Sequence, residues 1–561
     1  MQFSSRRVRL ATPLLALALG AAACGGSSDT PGASSSSGAS SSSGAAAGAA
    51  GGTFSIQINE PENGLIPGNT SESEGGQVVD ALWTGLTTYN VDSSALEYNG
   101  VAESITSSDP SNWTVKLKPG WTFHDGSPVT AESFVKAWNY TALSTNAQGN
   151  SYFFDDVEGY DDLQGETDDE GKVTSEPKKE EMSGLKVVDD STFTVALSKP
   201  FAQWPIKTGY SAFYPLPEAF FDDPEGFGSM PIGNGPFKAD TEFTKGEGIT
   251  LSRFDAYAGE KAKADKVEIK IFTDINTAYT EAQNDTLDIV SPIGPDAIAS
   301  FKDDFPGRFL ERPSSSFTYL GFPTYDARFK DKRVRQAFSL AIDRKAITDA
   351  IFGGTREPAF SVVSPVVNGS RPDACKYCVT DAVRAKQLLT ESGFDVSKPV
   401  DLWFNSGAGH DQWVQAVGNQ LRQNLGVEYK LQGSLDFAQY LPKGDKKGFD
   451  GPFRLGWIMD YPSPQNYLEP LYSTQALAPT GSNQTFYSNP AFDSLIAEGN
   501  SAATPEDAVT KYQAAEDLLL EDMPIAPMFF GKEQGVWSTK VSNVKVDAFG
   551  RIDLPNVTVN Q

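Results

Sequence analysis

The stretch WTVKLKPGWTFHDGSPVTAESFVKAW, residues 113–138, changes its periodicity midway, and that change decides the fold class. From Trp113 to Leu117 apolar and polar residues alternate, the period of a half-buried strand. Pro119-Gly120 turns the chain, Trp121-Thr122-Phe123 begins a second short extended segment, and His124-Asp125-Gly126 turns it again. A helix follows. Thr130 is a suitable N-cap, Glu132 sits in the first turn where the helix dipole favours a negative charge, and Phe134, Ala137 and Trp138 recur at helical spacing.

The same alternation of element types extends outward. Between Asp331 and Ala350, Val334, Ala337, Phe338 and Ala341 fall at i, i+3, i+4 and i+7, one buried helical stripe. Asp343 caps a further helix carrying Ile347 and Ile351, which Gly353-Gly354 ends. Strand-like runs at Phe193–Leu197, Val267–Phe272 and Val400–Phe404 interleave with helical stretches at Thr277–Asn284, Ala382–Leu389 and Trp413–Leu425. This pattern predicts an α/β protein with mixed sheets. No internal repeat of solenoid or propeller length is present. The apolar, Pro-containing run Ile525–Phe530 and the extended run Val536–Val546 suit a terminal segment that returns to complete a sheet begun near the N-terminus.

At the N-terminus, Arg6, Arg7 and Arg9 precede an apolar run from Leu10 to Ala23, closed by Ala21-Ala22-Ala23-Cys24. That order is an export signal, residues 1–23. The run is shorter than the roughly 20 residues a membrane-spanning helix needs. Small residues directly before a Cys predict lipidation of Cys24, with ordinary cleavage after Ala-x-Ala as the alternative. Arg6-Arg7 also admits twin-arginine export. Residues 24–52 are almost entirely Ser, Gly and Ala, a composition unable to bury apolar area, and are expected to form a lipid-anchored tether. The remaining chain, about 510 residues, is too long for one core and divides into two or three lobes.

The formal charge is −27, and removal of the three arginines of the signal takes it to −30. Nucleic acid is thereby excluded as a partner. Acids crowd the run from Asp155 to Glu181, which lacks the residue order of a calcium loop and suits a solvated surface. With Cys24 assigned to the anchor, Cys375 and Cys378 remain as a Cys-x-x-Cys that outside the cell predicts a local disulfide, against a redox or zinc site. The chain has two histidines, His124 and His410. With no G-x-S-x-G elbow and no H-E-x-x-H motif, neither His124-Asp125 nor His410-Asp411 is expected to be catalytic or to hold a metal.

Four segments, Leu82–Asn90 (LWTGLTTYN), Trp113–Trp138, Pro231–Lys238 (PIGNGPFK) and Lys332–Ile347 (KRVRQAFSLAIDRKAI), resemble, in this order and at these separations, the oligopeptide- and dipeptide-binding proteins of ATP-binding cassette importers, family 5 of the extracellular solute-binding proteins. The resemblance implies the class II periplasmic-binding-protein fold: two lobes, each with its own sheet, around a ligand cleft, plus an extra domain. Carried over, the first lobe combines 53–75, 200–311 and 526–561, the extra domain is 76–199, and the second lobe is 312–525.

The resemblance also places the ligand. Segment Phe453–Pro462 (FRLGWIMDYP) is similar to the family's ligand-facing strand. In peptide-binding members the acid three residues after the Trp, here Asp460, takes the α-ammonium, and the basic residue three before it, Arg454, takes the carboxylate or neutralises the ligand's C-terminal half. Six residues of extended chain span up to roughly 20 Å, an upper bound if the chain turns after Trp457. Gly456 lets a peptide main chain approach, Trp457 gives an apolar wall, and Tyr461 follows the acid. Asn59–Asn69 (NEPENGLIPGN), with Asn59, Glu60 and Glu62, resembles the opposing loop, although Pro61 removes one donor. Without the resemblance, the Trp reads as core and the Arg and Asp as surface partners.

The function so implied is that of a monomeric receptor without cofactor or catalytic activity. It sits on the outer face of the cytoplasmic membrane, captures peptides and delivers them to permease subunits. The alternatives are a member binding a nickel chelate, haem or an oligosaccharide, a peptide-signalling receptor, or a secreted hydrolase.

Overall fold

The structure, a computed structural model, describes residues 51–70, 72–165, 174–478 and 481–560. The export signal, Cys24 and all but the last two residues of the tether lie outside the described residues, as does part of the acidic run. Gly51 and Gly52 belong to the folded body: their N–H groups donate to the Lys263 carbonyl at 2.7 Å and the Asp265 carboxylate at 2.8 Å.

The helices begin where short polar side chains can take up free backbone N–H groups. Helix α1, Ala131–Ala142, follows Thr130, whose N–H donates to Ser133 Oγ at 3.2 Å, and buries Phe134, Ala137 and Trp138. Helix α2, Lys332–Leu340, is capped by Asp331 and buries Val334, Ala337 and Phe338. Helix α3, Arg344–Phe352, is capped by Asp343 and ends at Gly353, whose φ of 55° is the left-handed conformation glycine adopts without strain. Helix α4 is Asp411–Leu425 and α5 is Pro464–Tyr472.

The main sheet is assembled from β1 (Thr53–Ile58), β2 (Phe237–Ala239), β3 (Gly248–Arg253), β4 (Lys266–Ile271), β5 (Ile289–Val290), β6 (Phe309–Gly321), β7 (Arg356–Pro358), β8 (Val400–Trp403), β9 (Tyr429–Gln432), β10 (Phe453–Trp457) and β11 (Ile525–Trp537). Its order is β9-β8-β10-β6-β11-β5-β1-β4-β3-β2, with β7 also paired to β11. β1 runs parallel to β4 and β5, and β8 parallel to β9 and β10; the other pairs are antiparallel. A separate antiparallel sheet orders Ala102–Asp109, Asn112–Leu117, Thr192–Ala196 and Leu185–Asp189.

This is a mixed α/β architecture of two lobes. The two lobes' sheets are joined: β6 and β11, each 13 residues long, pass from one lobe to the other side by side. Their register slips between Pro313 and Phe317, a bulge that bends the ribbon between the lobes. β11 reaches β1 through β5. One hydrophobic core surrounds β1, β3, β4 and the separate sheet, from Phe54 through Trp138 and Phe193 to Ile269, so 76–199 shares its core with the first lobe. A second core fills the other lobe, from Phe317 through Trp413 to Phe530. Within it, Cys375 and Cys378 form a disulfide with Cα atoms 5.4 Å apart.

Three of the quoted segments meet in space. Gly235 N–H donates to the Leu82 carbonyl (2.8 Å), Asn234 exchanges hydrogen bonds with the backbone of Thr84, and the Gly233 N–H donates to His124 Nδ1 (3.1 Å). A Cβ at Gly233 would overlap the Leu82 carbonyl, which is why this close crossing requires glycine.

Candidate functional site

β10 sets the site's first side chains in register with β6: Trp457 opposite Phe317, Gly456 opposite Thr318, Arg454 opposite Leu320. The strand ends at Trp457, and the chain bends through Asp460 into Ser463, which caps α5. Arg454, Gly456, Trp457, Asp460 and Tyr461 all line one cavity of about 970 Å³. Tyr152, Asp155 and Phe201 also line it, and Ile458 and Phe437, both largely exposed, offer it apolar surface.

Asp460 is held by three bonds. Its N–H donates to Asn466 Oδ1 (2.8 Å), Asn466 Nδ2 donates to its carboxylate (3.0 Å), and the Tyr152 hydroxyl donates to the other carboxylate oxygen (3.2 Å). Withdrawal from water pushes its pKa up; the bonds from Asn466 and Tyr152 and the charge of Lys207 offset part of this. Lys207 itself is buried, paired with Asp156 at 2.9 Å and placed 5.9 Å from the centre of the Tyr461 ring. Asp155, open to cleft water but enclosed by protein on most sides, has its carboxyl raised to about 6 by burial, against the pull of Lys207.

Arg454 is a cation of the same cavity. One guanidinium nitrogen donates to Asn405 Oδ1 (3.2 Å), and its Nε has no partner. No carboxylate pairs with it among the described residues. Burial pushes its pKa down, with the Tyr440 and Tyr319 hydroxyls opposing. A cation with donors to spare in a part-buried site favours an incoming anion. Gly456 lies close against β6: a Cβ there would sit 2.9 Å from the Phe317 carbonyl oxygen. Trp457 presents its face while its Nε1 donates to Asn466 Oδ1 (3.1 Å). Tyr461 is buried with its hydroxyl committed to Gln465 Oε1 (2.6 Å), a wall more than a ligand donor.

Asn59, Glu60 and Glu62 are not among the residues lining this cavity. Asn59 Nδ2 donates to Glu74 (3.0 Å), one Glu60 oxygen accepts from the Gly246 N–H (2.8 Å) while its other is without a partner, and the Glu62 backbone N–H donates to Glu72 (3.3 Å). Sequence reasoning missed Asn466, Tyr152, Lys207 and Asn405. Only Asn466 carried a signal, as the amide six residues past the acid at the start of a capped helix.

His124 is fixed by backbone. Besides accepting from Gly233, it lies with Nε2 3.3 Å from the Gly235 carbonyl, and burial lowers its pKa to about 4. His410 accepts from Trp413 Nε1 (3.2 Å) and is likewise lowered to about 4, first by burial and then by Arg454. Among the described residues no group of three or more His, Cys, Asp or Glu could hold a metal, and no helix is long and apolar enough to cross a membrane.

The chain is 26% identical over 522 residues to the oligopeptide-binding protein OppA of Bacillus subtilis (strain 168), covering 90% of this chain and 92% of that one. It is 27% identical over 462 residues to the periplasmic murein peptide-binding protein MppA of Escherichia coli (strain K12), covering 81% and 83%. Among solved structures, the unliganded open form of the murein tripeptide-binding protein MppA superposes with a TM-score of 0.79 at 24% identity, over 91% of this chain and 99% of that one. Haemophilus influenzae OppA in complex with RPPGFSPFR superposes with a TM-score of 0.66 at 23% identity, over 91% and 99%. Residues 98–478 match the family model of the bacterial extracellular solute-binding proteins, family 5 Middle, and the chain belongs to that family.

Proposed function

We propose that this protein captures peptides outside the cell and delivers them to the permease of an ATP-binding cassette importer, without chemistry of its own. The observation that carries the reading is the placing of Asp460 and Arg454 in one cavity, one an acid drawn away from water and the other a cation with no carboxylate partner. A peptide zwitterion supplies the missing charge to each: its ammonium goes to Asp460, its carboxylate or C-terminal half to Arg454, and its main chain passes over Gly456. The peptide-binding names of the relatives support the same assignment. The first lobe (53–75, 200–311, 526–561) and the extra domain (76–199) then close on the second lobe (312–525) about the bent β6–β11 ribbon, and Asn59, Glu60 and Glu62 meet the ligand only on closure. The protein acts as a monomer, tethered by acylated Cys24.

The test is calorimetry on residues 25–561, refolded to strip carried-over ligand, against peptides of three to six residues and their N-acetylated copies. Free-amine peptides bind, acetylation abolishes binding, and Asp460→Ala weakens it at least tenfold. Absence of binding to both sets sinks the peptide reading and turns the search to nickel chelates, haem and sugars. Turnover of any peptide overturns the non-enzymatic part, and a Cys24→Ser protein that still partitions with membranes overturns the anchor.

A further inference from the structure

The cleft has a second chamber that the Asp460–Arg454 pair does not use. Its volume is about 630 Å³, and it lies between the segment from Pro292 to Ala299 on one side and the end of α3 with β7 on the other. Ser316 lines both cavities. The cause is the bulge in β6: three residues, Ser314 to Ser316, lie across from the single Gly531, whose missing side chain leaves space that a Cβ would close, 2.5 Å from Ser314 Oγ.

Two opposite charges face this chamber. Arg356 is paired in register with Gly531, and Glu533 follows two residues later on the same face of β11, so the two are diagonal neighbours about 7–8 Å apart along the backbone. They are close enough to pair, yet no ion pair joins them among the described residues. The guanidinium of Arg356 donates to the Thr355 carbonyl (2.8 Å) and lies 5.8 Å from the centre of the Phe352 ring. Lys532, the other cation at the chamber, is already taken by Glu357 at 3.1 Å. Burial pushes Glu533 up, against the charge of Arg356, a hydrogen bond from Ser314 and the charge of Arg312, and burial pushes Arg356 down, against the charge of Glu533.

We propose that this chamber is a side-chain subsite which, at one position of the bound peptide, selects a group offering an acceptor to Arg356 and a donor to Glu533, the carboxamides of glutamine and asparagine being the fitting class. The inference rests on the peptide reading above. An ammonium satisfies Glu533 but meets Arg356 as a like charge, and a carboxylate has the converse fault. An aliphatic chain takes water from both charges and offers neither a new partner. A carboxamide carries both functions on one planar group and completes both sites at once.

The test is a set of alanine-based pentapeptides with free N-termini, carrying Gln, norleucine, Lys or Glu in turn at positions 2, 3 and 4, titrated into the ligand-stripped chain. At one position Gln binds about tenfold tighter than norleucine and tighter than Lys or Glu. Arg356→Met brings that ratio near one while the all-alanine peptide keeps its affinity. Should Arg356→Met not fold, Glu533→Leu carries the same test. A ratio unchanged in the variants, no discriminating position, or a preference for Lys or Glu overturns the subsite while leaving peptide capture intact. No binding of any pentapeptide overturns both.

Discussion

Asn466 fixes Asp460 from two sides, its Oδ1 accepting the main-chain N–H of Asp460 at 2.8 Å and its Nδ2 donating to the carboxylate at 3.0 Å. The same Oδ1 accepts from Trp457 Nε1. One amide at the start of α5 thus orients both the acid and the aromatic wall, and it does so without carrying charge. Asn466→Ala is expected to weaken peptide binding about tenfold, less than the loss from Asp460→Ala, because the charge survives but its orientation does not. Calorimetry on the two variants side by side checks this; equal losses would mean that Asn466 acts through folding alone.

The pH dependence of binding follows from the direction in which Asp460 is shifted. The empty protein holds this carboxyl above its ordinary pKa, and the charged form is the one that pairs with an ammonium. Affinity for free-amine peptides is therefore full at neutral pH and falls on acidification through the raised pKa, earlier than an unperturbed aspartate would dictate. The folding linkage has the opposite sign: a raised carboxyl costs stability above its unfolded pKa, and that cost is relieved as pH falls. Titrations from neutral pH downward should show the loss of affinity in the wild type and its absence in Asp460→Asn.

Gly456 has a steric role that substitution exposes. Because the atom a Cβ would meet, the Phe317 carbonyl oxygen at 2.9 Å, is backbone, the β6–β10 pair must shift to admit it. Gly456→Ala should cost about 1–2 kcal/mol of stability and weaken peptide binding by more than that shift alone. Thermal melts paired with titrations separate the two effects, and unchanged affinity would remove the main-chain approach from the binding scheme.

The disulfide makes a smaller contribution than its burial suggests. Cys375 and Cys378 are three residues apart, so the loop they close is short and its entropic contribution is about 2 kcal/mol. Cys375→Ser with Cys378→Ser should lower the melting temperature by a few degrees and leave peptide affinity unchanged. A large loss of affinity would instead connect this corner of the second lobe to the cleft.

Much of the fold was legible in local patterns. The stripe Val334, Ala337, Phe338, the caps Thr130, Asp331 and Asp343, and the stop at Gly353 are each set by residues within a turn or two of one another, and the structure shows them in place. The site was legible as far as one strand carries it, since Arg454, Gly456, Trp457 and Asp460 are neighbours in the chain. The joining of the two sheets through β6 and β11 was not. Nothing in the alternation of either strand states which partner it takes.

By itself the sequence determined the α/β class, the helix limits, the family and the acid and cation of the cleft, because caps, periodicity and motif are short-range. Tertiary structure alone decided that Tyr152 meets Asp460 across 308 residues of chain, that Asn59 bonds to Glu74 and Glu60 to the Gly246 N–H away from the cavity, and that a bulge at Ser314–Ser316 borders a chamber lined by Arg356 and Glu533. Those contacts depend on which distant surfaces pack together, and burial energy, being non-directional, leaves no spacing in the sequence from which the partner can be read.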